Sequence, residues 1–148
     1  MPVLERRVRS GTIGLMFRRK QLPPELQPPY HAFAEQVREM EEARDALMSC
    51  LPVGRVDPAP VPVGLDLLRD VLGEVRQRME AWRVPEVADE WAACAEAIEE
   101  SLGNMPRAHE VAETSGELEE LLGAVEDVDE PLGYAFKQAE LQWRRLRR

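Results

Sequence analysis

Between residues 65 and 82, six apolar side chains recur at steps of three, four, three, four and three: Leu65, Leu68, Leu72, Val75, Met79 and Trp82. That spacing puts all six on one stripe of an α-helix. Asp66, Arg69, Asp70, Glu74, Arg76 and Glu80 fill its other faces. A helix patterned in this way leaves its stripe in water unless other helices cover it, so the segment requires partners with stripes of their own.

The rest of the chain supplies them. Tyr30, Phe33, Val37, Met40, Leu47 and Leu51 follow at heptad-like spacing, with Arg44 as the one polar residue on that seam. Pro28 and Pro29 suit the opening of this helix, where a missing N–H costs nothing, and Pro52 ends it. Residues 52 to 62 hold four prolines and Gly54, a stiff connector that lets the chain reverse. Beyond Trp82 the register changes. Pro85 intervenes, and the apolar positions resume at Val87, Trp91, Cys94, Ile98, Leu102, Met105, His109 and Ala112, which predicts a break or sharp kink at Pro85.

Residues 86 to 113 then read as one helix, kinked or briefly interrupted near Gly103 to Pro106. Thr114 and Glu117 match the spacing of a capping box, which starts a further helix. Leu118, Leu121, Leu122, Val125 and Val128 form its stripe, Pro131 interrupts it, and Leu132, Phe136, Ala139, Trp143 and Leu146 continue it. The prediction is an all-α, antiparallel up-down bundle of about four proline-interrupted amphipathic helices, elongated if Pro85 only kinks the chain. Residues 1–27 read as a basic, proline-containing, partly disordered arm and residues 28–148 as the bundle. Alongside the opening stripe, Trp91 and Trp143 belong to the expected core.

Charge is distributed unevenly. Residues 1–20 carry net +5, residues 137–148 net +4, and the formal total of −9 therefore leaves −18 on the stretch between. In the arm, Arg6, Arg7, Arg9, Arg18, Arg19 and Lys20 alternate with Val3, Leu4, Val8, Ile13, Leu15 and Phe17, a composition suited to an anionic membrane surface, to phosphates or to the chain's own acidic body. The acidic body opposes nucleic acid and no DNA-reading motif is present, so no specific nucleic-acid partner is expected. Met16 is an alternative start, which would remove most of the arm.

Catalytic signatures are missing. There is no phosphate-binding glycine loop and no serine-hydrolase motif. Cys50 and Cys94 have no CxxC context and fall on or beside apolar stripes, which predicts buried, inert thiols and a reducing, cytoplasmic setting. A di-iron bundle needs a Glu three residues before each His, but Pro28 precedes His31 and Pro106 precedes His109 at that spacing. Each His has a Glu four residues later, Glu35 and Glu113, and the pair His109 and Glu113 is the one candidate for a metal-binding or enzymatic bundle. Arg44 is expected to snorkel past Ala43 rather than pair with an acid on a facing helix. No apolar run is long enough to span a membrane. Taken together, the pattern predicts no cofactor and a non-enzymatic bundle that acts through protein contacts, with a protein partner or as a homodimer.

Overall fold

The computed structural model describes residues 20–53 and 60–148. Four helices form the body: α1 (Gln27–Ser49), α2 (Val61–Arg78), α3 (Ala88–Thr114) and α4 (Leu118–Arg145). Each packs on the next, and α1 closes the ring against α4. Cross-helix contacts fix the antiparallel sense. Gln36, early in α1, reaches Arg78 at the end of α2, Leu47 late in α1 lies against Gly64 early in α2, and Asp66 of α2 meets His109 late in α3. The all-α bundle expected from the periodicity is the architecture observed.

All six residues of the opening stripe are completely buried. The α-helix itself ends at Arg78, and Met79–Trp82 tighten into a 3-10 turn that delivers the last two stripe residues to the core. Val84 is then extended, as a residue before proline tends to be, and Pro85–Val87 make a second 3-10 turn before α3 begins. Pro85 is therefore a break.

Pro106 and Pro131 sit inside α3 and α4; the single helix through Pro106 matches the expectation, whereas α4 runs through Pro131 where an interruption was expected. In α4 the reason is visible. Pro131 has no N–H to give the Asp127 carbonyl four residues back, and the Asn104 side-chain amide of α3 donates to that oxygen at 3.0 Å instead. A neighbouring helix replaces the bond that proline removes.

The α3–α4 turn also departs from the predicted capping box. Thr114 is still helical, and its hydroxyl donates back to the Glu110 carbonyl at 2.7 Å. Ser115 takes over at the turn: its hydroxyl accepts the Glu117 N–H at 3.2 Å and donates to the Glu120 carboxylate at 2.9 Å. Leu118 is exposed and Leu121 and Leu122 pack half-buried against the core, so the α4 stripe is fully buried only from Ala124 and Val125 onward.

An aromatic cluster fills the end of the bundle where α1 begins. Phe33 is its centre, with ring centroids 4.9 Å from Trp82, 6.1 Å from Trp143 and 6.4 Å from Phe136. Tyr30 adds an edge-on contact to Trp143 at 5.6 Å. Leu22 and Leu26, in the lead-in before α1, are buried against the same core. Such large side chains between α1 and α4 keep those two backbones farther apart than α3 and α4. At the adjoining corner the Trp91 indole donates to the Met79 carbonyl at 2.8 Å. The Arg83 and Arg76 guanidinium groups lie over its ring at 4.5 and 5.3 Å from the centroid, so the corner between Trp82 and Trp91 is closed by the chain itself.

Candidate functional site

The spacing of α1 and α4 leaves an open seam along the outside of the bundle. Three adjoining depressions of about 170, 310 and 250 Å³ follow it from Tyr30 to Met48. Phe33, Val37 and Phe136 form its apolar floor. Charges of both signs line the rims, Arg38 and Lys137 among Glu41, Asp45 and Glu140.

One ion pair spans the seam. The Arg44 Nε donates to Asp129 Oδ1 at 2.7 Å and a second guanidinium nitrogen donates to Oδ2 at 3.2 Å, a two-pronged contact between α1 and α4. This corrects the expectation that Arg44 merely snorkels. Gly133 makes the pairing feasible, since a Cβ there would stand 2.7 Å from the Arg44 guanidinium. The hydrogen bond to Asp129 raises the Arg44 pKa above its ordinary value, against the opposing effect of burial.

A second feature lies where the described chain begins and where it ends. The backbone N–H of Gln21 donates to the Arg148 main-chain oxygen at 2.9 Å, and the Arg148 N–H donates back to the Gln21 carbonyl at 2.8 Å. This two-bond clasp brings Lys20 beside Arg147, although 126 residues separate them in sequence. An open pocket of about 330 Å³ forms there, lined by Lys20, Gln21, Gln27, Tyr30, His31 and Arg147. Among the described residues no carboxylate side chain lines it. Arg147 is held over Tyr30, donating to the phenol oxygen at 3.4 Å with its guanidinium carbon 5.5 Å from the ring centroid.

Of the basic arm, Arg6, Arg7, Arg9, Arg18 and Arg19 lie outside the described residues, and only Lys20 is placed. His31 is exposed. His109 is partly buried and its Nε2 stands 3.1 Å from Asp66 Oδ1, a contact across helices, while Glu113 is exposed. Among the described residues no group of three or more His, Cys, Asp or Glu is placed to hold a metal ion. Both cysteines are buried, and burial pushes the Cys94 thiol up to about 12, far from a reactive thiolate at neutral pH. No helix among the described residues is long and apolar enough to cross a membrane.

The pattern of stripes gave no sign of the clasp, because two backbone hydrogen bonds between distant residues have no side-chain signature. Gln36 does have a sequence signature. It sits at a core spacing between Phe33 and Met40 and is 3% exposed, and a polar residue at such a position signals a buried network. No family model, curated protein or solved structure matches the chain.

Proposed function

We propose that the protein is a non-enzymatic helical bundle that works through protein contacts, taking an amphipathic helix of a protein partner into the α1–α4 seam. The observation that carries this reading is the seam itself, an apolar floor between two helices with charges of both signs on its rims. From Tyr30 to Arg44, where the ion pair with Asp129 crosses it, the seam offers about 21 Å of helix length, enough for just under four turns of a docked helix. Apolar residues of the incoming helix at i, i+3, i+4 and i+7 would lie over Phe33, Val37 and Phe136. Its flanks, carrying Glu and Lys in i,i+4 pairs, would meet Arg38 and Glu41 on the α1 rim and Lys137 and Glu140 on the α4 rim.

The test places a photo-crosslinking residue at position 37 or 140 of the full chain, identifies the captured partner, and then measures binding to that partner in purified form. A one-to-one complex with crosslinks into a helical segment is expected, weakened about tenfold or more by Val37→Glu and unchanged by Leu67→Glu on an exposed face of α2. Equal affinity for the Val37→Glu protein would overturn the reading. A concentration-dependent dimer abolished by the same substitution would replace the foreign helix with a second copy of this chain.

A further inference from the structure

We propose that the pocket beside the Gln21–Arg148 clasp is a binding site for a phosphate group. Its residues share only Tyr30 with the α1–α4 seam, so it stands whether or not a partner occupies that seam. In a chain with 28 acidic and 19 basic residues, a concave surface lined by Lys20, Arg147 and His31 with no carboxylate side chain among its described lining is a local inversion of the protein's charge. The inversion is built by tertiary structure. The clasp joins the two segments that carry Lys20 and Arg147 and so brings both cations to one pocket.

The geometry suits phosphate better than a single carboxylate. Tyr30 holds the Arg147 guanidinium from below and from its edge, which orients a rigid fork of donors before any ligand arrives. Lys20 supplies a mobile point charge, and the His31 ring and the Tyr30 hydroxyl supply further donors. A phosphate offers three or four oxygens to satisfy such a set at once, whereas a carboxylate offers two. The pocket also faces the first turn of α1, the positive end of that helix. Pro28 and Pro29 remove two of the backbone N–H groups that a helix start would normally present, so recognition falls to the side chains.

The experiment titrates the full chain with inorganic pyrophosphate at low ionic strength, read by calorimetry and by the NMR signals of the Arg147 guanidinium and the Tyr30 ring. One saturable site is expected. Arg147→Glu and Lys20→Glu should each weaken it about tenfold or more, and Arg69→Glu, the same charge change on distant α2, should leave it within about twofold. Tyr30→Phe keeps the ring but loses the oxygen, so a weakening of about threefold to tenfold is expected from a less well-held Arg147. All four side chains are at least partly exposed, and far-UV circular dichroism checks that the variants fold.

No saturation by about 10 mM pyrophosphate would overturn the proposal. So would equal weakening by Arg69→Glu, which would reduce the effect to net charge. Phosphatidylcholine vesicles with and without phosphatidic acid then separate the sources of the phosphate. Sedimentation with the anionic vesicles that pyrophosphate competes away supports a lipid headgroup, and pyrophosphate binding without sedimentation supports a soluble phosphate compound. Pyrophosphate binding that survives both Arg147→Glu and Lys20→Glu would place the anion elsewhere and overturn the site.

Discussion

Gln36 shows how much one residue can hold when it is placed at a junction. Its amide nitrogen donates to the Arg78 carbonyl at 2.9 Å, at the junction between α2 and the 3-10 turn that follows it. Its amide oxygen accepts the Trp82 indole N–H at 3.0 Å. One side chain thus ties α1 both to the last turn of α2 and to the 3-10 turn that follows. Replacing it by leucine keeps the volume, removes the bond to the Arg78 carbonyl and leaves the buried Trp82 indole N–H without its acceptor. Gln36→Leu should cost about 2–3 kcal/mol in denaturant unfolding, with the Trp82 fluorescence environment altered. The polar residue on an apolar stripe was readable from the sequence. Its two partners were not, because Arg78 and Trp82 lie 42 and 46 residues away and only the antiparallel packing brings them near.

At the scale of the helix, Pro131 illustrates the same division. A proline in a helical pattern reads locally as a stop, since its own N–H is missing and its ring crowds the carbonyl four residues back. Pro85 does act as a stop, with the preceding residue extended and a register change after it. Pro131 does not, because Asn104 of the facing helix donates to the Asp127 carbonyl. The loss of that bond in Asn104→Ala should destabilise the protein by about 0.5–1.5 kcal/mol. In a Pro131→Ala background the helix can make its own bond to Asp127, so the same substitution should cost less. A double-mutant cycle measures the difference, and strict additivity would show that Asn104 does not compensate for the proline. Thr114 failed as the predicted cap for a related reason. Local spacing identified a hydroxyl and a carboxylate at suitable separation, but α3 runs through Thr114 and its hydroxyl is engaged with Glu110.

Across the whole molecule, the closeness of the helices varies from one interface to the next. At α1–α2 the approach is tight: a Cβ on Gly64 would stand 2.9 Å from the Leu47 Cα and 3.0 Å from the Cys50 sulfur. Gly64→Ala must push the two helices apart and should destabilise by about 1–3 kcal/mol. Gly73, on the same helix, has nothing within 4 Å of such a Cβ. There alanine lowers the backbone entropy lost on folding, and Gly73→Ala should stabilise by about 0.5–1 kcal/mol. Thermal unfolding of the two variants, with shifts of opposite sign, checks both the tight interface and the open surface.

The sequence by itself determined the helices, most of their buried faces and the change of register at Pro85, because periodicity, burial and proline stereochemistry act within a few residues of one another. Leu65 to Trp82 is the clearest case, with all six stripe positions buried as the spacing required. The tertiary structure alone decided which charges and polar groups meet. It paired Arg44 with Asp129, gave Asn104 to the carbonyl orphaned by Pro131, spread α1 and α4 around Phe33, and clasped Gln21 to Arg148 beside Lys20 and Arg147. These contacts depend on distance in space between residues far apart in the chain, and no local pattern encodes that distance.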